Sequence, residues 1–325
     1  MLFKVLMMTS KIVVADDGST SVKLAWFEED ELKTFTSSNS AEFGKGFSED
    51  GGRNYTVFDK SNSETTFCFM ENADSIRSKN ERFQYDAHSV ASIHHGLHKA
   101  GIEGQNVTLA VTLPLSQYYK GTRINEENIN KKKASILRRV DSDSKSKTNT
   151  ISDVVVYPEG IPACYPNLVN EKGEPLVDEE ELTFLADFGG TTLDLCLFSG
   201  AASDILKAES FSLGMFDTFD DVMRDSGIPK RRDLILKKLL ETGQASGGKF
   251  SIDRHKTTLP IMEKAQNLIL DFLGDDLRLL SNCFCIGGGA DLLSKNLEKI
   301  EGINPVVIDN PVEALARSIA SIMEK

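Results

Sequence analysis

The chain has 325 residues, 40% of them hydrophobic and 26% charged, the proportions of a globular protein long enough for two domains. A net charge of −12 excludes a surface built for nonspecific nucleic-acid binding, and no apolar run reaches the length of a membrane span, so neither nucleic acid nor membrane is expected as a direct partner. Five cysteines (Cys68, Cys164, Cys196, Cys283 and Cys285) are few and odd in number, which suits a reducing cytoplasm, the expected location.

Residues 1–8 are apolar but short, without a basic leader or cleavage site. They read as an addition ahead of a start at Met7 or Met8. A β-rich run over 12–15 then enters Asp16-Asp17-Gly18-Ser19-Thr20-Ser21, and a second over 22–27 leaves it. This is a hairpin whose turn exposes backbone N–H groups. Glycine admits close approach of a ligand, and the hydroxyls add donors for phosphate oxygens. An aspartate cannot bind phosphate directly, so it implies a cation, most simply hydrated Mg²⁺. Lys23 is the single cation beside this turn, placed to meet a β-phosphate; the alternative is a solvated strand lysine.

Residues 28–82 mix charged turns with strand signals at 55–58 and 65–70, and 37–54 reads as surface loops and hairpins. Residues 86–100 predict a helix with Val90, Ile93 and Leu97 on one face. Its His88, His94, His95 and His98 lack the glutamate of a metal motif and read as surface or packing residues. A buried strand over 107–113 ends at Pro114. The helix expected over 125–140 has a basic face of Lys131, Lys132, Lys133, Arg138 and Arg139, read as solvated rather than as a partner or DNA site. Residues 141–150 read as a loop. A strand over 151–157 leads into Pro158-Glu159-Gly160-Ile161-Pro162-Ala163. Glu159 either orders a water or complements a helix dipole, and the residues alone leave that open. The acidic stretch 170–181 suggests a domain boundary near 165–180.

The first hairpin then recurs. Ala186-Asp187-Phe188-Gly189-Gly190-Thr191-Thr192-Leu193-Asp194-Leu195 aligns without gaps on the residues from Ala15 to Leu24. One such turn is a weak signal; two suggest similar domains holding one phosphate chain between them. Gly214 follows, then helices over 217–225 and 230–241, a Gly/Ser loop over 242–249, and a long amphipathic helix over 259–273. Cys283-x-Cys285 lies on a strand over 283–286 and reads as buried thiols, not a zinc site. Gly287-Gly288-Gly289 between that strand and a helix over 291–300 permits flat approach of a base or ribose. A strand over 306–308 and a helix over 311–325 close the chain.

The order D-x-G-S-T, P-E-G-I-P-A, D-F-G-G-T-T, I-G-G-G-A-D and P-V-E-A-L-A-R-S resembles the actin/Hsp70/sugar-kinase superfamily over nearly the whole chain. Within it the chain resembles the plasmid-segregation actins of the ParM/StbA family. The carriers are Asp16 to Thr20 with Lys23 and Leu24, Thr112 to Leu115 with Tyr118 and Tyr119, and the run from Asn125 to Ala134. Pro158 and Glu159 with residues 161–163, and Leu193-Asp194, complete the set. The resemblance implies an α/β, actin-like fold of two RNase H-like domains around a nucleotide cleft, with 1–168 as domain I, 306–325 packing back on it, and 169–305 as domain II. It implies an ATPase that binds ATP or ADP with Mg²⁺ and polymerises head to tail into dynamic filaments for plasmid partition. A ParR-type DNA-binding adaptor would link the filament to a plasmid centromere. By similarity Glu159 and Asp187 are catalytic, Asp16 and Asp187 hold the metal shell, and Asp17, Gly18, Ser19, Thr20, Ser21, Lys23, Gly189, Gly190, Thr191, Thr192, Gly214, Gly287, Gly288 and Gly289 contact the nucleotide. The alternative within the superfamily is a small-molecule, sugar-type kinase.

Overall fold

The computed structural model describes residues 10–47, 53–70, 81–144 and 148–324. The expected start at Met7 or Met8 lies outside the described residues. Each phosphate hairpin opens a sheet. In the first half β1 (Lys11–Asp17), β2 (Ser21–Glu28) and β3 (Glu31–Ser38) form an antiparallel meander. Strands β4 (Asn106–Leu113) and β5 (Thr150–Pro158) then add in parallel beyond β1, giving the order β5-β4-β1-β2-β3. In the second half β6 (Leu182–Phe188), β7 (Leu193–Ser199) and β8 (Asp204–Phe211) repeat the meander, and β9 (Leu280–Ile286) and β10 (Pro305–Val307) repeat the parallel addition. The order is β8-β7-β6-β9-β10. The recurrence read in two turns therefore extends to two whole sheets with matching order and strand sense.

Strands β1 and β6 are apolar without alternation because both of their faces are covered. Val13 and Ala15 face one core, with α1 (Ala87–Lys99), while Val14 faces another. Likewise Phe184, Ala186 and Phe188 face a core of the second half, and Leu185 turns the other way. The core reached by both Val14 and Leu185 is shared. It holds Ile161, Ala163, Cys164 and Leu168 of α3 (Ile161–Leu168) and Leu315, Ala316 and Ile319 of the last helix (Ala314–Glu324). Each of these leucine and isoleucine side chains contributes about 1.5–3 kcal/mol when fully buried. The last helix packs on β1 and β2.

Several local expectations are corrected. Residues 41–43, 54–58, 64–69 and 140–142 form a small four-stranded sheet, which takes in the strand signals at 55–58 and 65–70 and makes the start of the loop read at 141–150 strand. The helix with the basic face, α2 (Glu126–Ile136), stops four residues early, and its face is not solvated throughout: Lys132 is fully buried. Residues 217–225 divide into a 3-10 turn, Met215–Thr218, and a helix, Phe219–Ser226. The long helix begins earlier, at Arg254, and carries Pro260 inside it. The loop at 242–249 includes one strand of a short β pair, Gln244–Ala245 with Phe250–Ser251. His88, His94 and His95 are packing residues, and His98 pairs with Glu103 at 2.5 Å. His95 stacks on Phe69 with centroids 4.3 Å apart, and burial alone pushes the His94 imidazole down to about 4. All five cysteines are buried and free. No helix among the described residues is long and apolar enough to cross a membrane.

Candidate functional site

The two turns meet. Ser19 Oγ lies 2.5 Å from Thr191 Oγ1, although 172 positions separate them in the chain. A Cβ added to Gly190 would stand 2.7 Å from Thr20 Cγ2. Gly18 is fixed from behind, where its carbonyl accepts from Asn39 Nδ2 at 2.6 Å. Ser21 starts β2 and pairs with Ser38. In the second turn the Gly189 N–H donates to the Thr192 carbonyl at 2.9 Å. Gly214 presses on this turn so closely that a Cβ there would lie 2.4 Å from the Gly190 carbonyl carbon and the Thr191 nitrogen. The next two N–H groups, of Met215 and Phe216, donate to the Gly189 and Gly190 carbonyls at 3.1 and 2.9 Å.

The third glycine run joins the same place. A Cβ on Gly287 would lie 2.5 Å from Asp187 Oδ1, and one on Gly289 would lie 2.7 Å from Phe188 Cδ1. Gly288 faces open space. Glu159 arrives from the other side, at the end of β5, with its N–H donating to the Leu113 carbonyl at 2.8 Å. Gly160 adopts φ +78, a conformation that glycine takes without strain. A Cβ there would stand 2.7 Å from Leu185 Cδ2, so the missing side chain also lets this corner of the first sheet approach the second.

Register explains the charges. In the first hairpin Asp16 sits opposite Lys23, and the two form an ion pair at 3.0 Å. In the second hairpin the equivalent positions are Asp187 and Asp194, two carboxylates opposite each other. Burial pushes Asp187 up to about 7, and the charges of Asp194 and Asp16 push the same way. Asp194 is pushed to about 6 by burial, against the pull of hydrogen bonds from Ser210, Thr192 and the Leu115 backbone. Glu159 is raised well above the usual carboxylate range, by burial first and then by Asp194, Asp16 and Asp187. Lys23 is raised despite its burial, because Asp16, Asp187 and Glu159 surround it. Buried carboxylates that resist ionisation side by side are a donor set that favours a cation. Among the described residues no three acidic, histidine or cysteine side chains converge as a protein-only metal cage.

Asp17 is the exception among the expected site residues. Its neighbour in β1 faces the cleft, so Asp17 faces the opposite way. Its carboxylate is fully buried, accepting from Lys132 Nζ at 2.5 Å and from Ser89 Oγ at 2.7 Å. Lys132 Nζ also donates to Gln84 Oε1 at 2.6 Å. Asp17 therefore anchors the turn to α2 through Oδ2. Sequence reasoning missed Asp194, Ser210 and Lys132 as parts of this region. A signal for Asp194 was present, since the gapless repeat places it on Lys23.

Comparison with known proteins bears on the family and the fold. Residues 11–170 match the family model described as plasmid segregation protein ParM, N-terminal. Among curated protein sequences, none matches the chain. Among solved structures, a 15-stranded ParM filament from Clostridium botulinum is similar with TM-score 0.71 and 17% identity, covering 98% of this chain and 99% of that one. The actin-like protein Alp7A gives TM-score 0.70 and 12% identity, with 96% and 95% covered. An archaeal actin homologue in complex with ADP gives 0.66 and 13%, with 96% and 97% covered. The fold is actin-like.

Proposed function

We propose, from the match of residues 11–170 to the model of plasmid segregation protein ParM, that the chain is a member of that family and an ATPase whose filaments assemble with ATP and come apart after hydrolysis. The observation that carries the reading is the meeting of two equivalent hydroxyl- and glycine-rich turns across one cleft, with Glu159 beside them. Ser19, Thr20, Lys23 and the residues 189–192 would cradle the phosphates, and the residues 287–289 the adenosine end. Asp16 and Asp187 would hold Mg²⁺, which supplies positive charge toward the phosphate oxygens.

The reaction is phosphoryl transfer to water, in which the protein supplies position and charge. Glu159, when ionised, orients the water and accepts its proton. The turns grip a triphosphate from two sheets at once, so loss of the terminal phosphate weakens their connection. This makes the assembled state depend on the nucleotide. We divide the chain as 1–168 with the last helix, and the remainder from 169 through Val307, because the last helix packs on β1 and β2 while Pro305–Val307 pairs with β9 of the second sheet, so the expected boundary at 305/306 moves past that strand. Assembly with a second copy is head to tail, and contact with plasmid DNA runs through a ParR-type adaptor in the cytoplasm.

The test is sedimentation with ATP alongside phosphate release, without any added acceptor substrate. Wild type should pellet transiently and release phosphate; Glu159→Ala should pellet persistently and release little. Turnover only on addition of a small hydroxylated substrate would favour a kinase instead.

A further inference from the structure

The corner after β4 is tied to the second sheet by a short relay. The Ser116 N–H donates to Ser210 Oγ at 3.2 Å, and Ser210 Oγ donates in turn to Asp194 Oδ1. The preceding N–H, of Leu115, also donates to the Asp194 carboxylate. Ser210 thus uses its hydroxyl in both directions, as acceptor for one sheet and donor within the other. Asp194 is 1% exposed, and such a carboxylate persists in a core only when fixed donors surround it. The same corner carries Glu159, whose N–H is held by the carbonyl of Leu113, two residues before Leu115. The helix Leu115–Tyr118 packs on β7 and β8 and on β5. One continuous path therefore runs from Asp194 through Ser210 and residues 113–116 to Glu159.

We propose that Ser210 and Asp194 are positioning residues: by clasping residues 113–116 across the cleft, they set where Glu159 stands relative to the phosphate turn of the second sheet. The proposal rests on the hydrolysis reading above. It adds that joining the sheets and placing Glu159 are one event, because the backbone that positions Glu159 is itself held by the opposite sheet. Neither side chain needs to touch the nucleotide for this.

Ser210→Ala removes both hydrogen bonds of the hydroxyl at a half-buried position and should fold. Ser210→Thr keeps the hydroxyl. Two readouts are needed: amide hydrogen exchange at Leu115 and Ser116 without nucleotide, and steady-state ATP turnover. In Ser210→Ala we expect exchange at Ser116 about tenfold faster, kcat about tenfold lower, KM for ATP within about twofold and only a small drop in thermal midpoint, since Thr192 and the Leu115 N–H still serve Asp194. Ser210→Thr should restore both exchange and kcat. Unchanged exchange at Ser116 in Ser210→Ala would overturn the clasp. Faster exchange with unaltered kcat, or a parallel loss of kcat and thermal midpoint that Ser210→Thr does not rescue, would overturn the positioning role. No turnover in the wild-type chain would refute the hydrolysis reading and the positioning role with it, while the exchange result would still decide whether the clasp exists.

Discussion

A methyl group at Gly190 should part the two turns without unfolding either sheet. The new Cβ would stand 2.7 Å from Thr20 Cγ2 and 3.2 Å from Phe216 Cζ. Carbon atoms rest about 3.5–4.0 Å apart, so the Thr20 contact alone asks for roughly 1 Å of retreat. Overpacking of this kind costs about 1–3 kcal/mol. If one triphosphate must touch both turns, Gly190→Ala should weaken Mg²⁺–ATP binding about 5- to 150-fold, the same energy expressed as an equilibrium. The contact lies between the two sheets, so the thermal midpoint without nucleotide should change little. Thr20→Ser deletes the obstructing methyl and keeps the hydroxyl. The double variant should regain most of the affinity in calorimetric titration. Wild-type affinity in Gly190→Ala, or no recovery in the double variant, would refute the reasoning.

Three further outcomes are expected. Lys132→Met leaves Asp17 as an uncompensated buried carboxylate, at a cost of about 3–5 kcal/mol, read as a lowered thermal midpoint; adding Asp17→Leu should recover part of it. Asp187 has its folded value raised to about 7 from 3.8, so its contribution to stability is full below about pH 4 and is lost as pH rises toward 7. The nucleotide-free melting temperature should accordingly fall from pH 5 to pH 8, and Mg²⁺–ATP binding near pH 6.5 should release protons, seen as a calorimetric enthalpy that varies with buffer. Gly287→Ala drives a Cβ to 2.5 Å from Asp187 Oδ1 at a φ of +88, and should reduce nucleotide affinity and lower the thermal midpoint together.

The duplicated hairpin was legible because its residues recur in register, and that register carried the whole sheet order with it. It also carried more than was read from it. The equivalence of Lys23 and Asp194 means one hairpin pairs its aspartate with a cation while the other sets two carboxylates opposite each other, both raised first by burial. Asp17 parts company with Asp16 because successive strand residues face opposite sides, which a run of two aspartates does not reveal. Lys132 was misread because a helix reveals which positions share a face, not which face is covered. Its partner Asp17 lies 115 positions away, and nothing local marks that pairing. The short strand at 140–142 fails for the same reason, since its partner lies at 55–57. Ser210 sits on a half-exposed strand among other polar residues, and only the approach of residues 115–116 gives it a role.

The central claim is that both turns hold one phosphate chain. A crystal structure with Mg²⁺ and a nonhydrolysable ATP analogue tests it most directly. The account predicts the phosphates between residues 18–20 and 189–192, with Mg²⁺ on the side of Asp16 and Asp187. Density for the analogue anywhere else, or phosphates touching one turn while the other stays paired as Ser19 with Thr191, would contradict it.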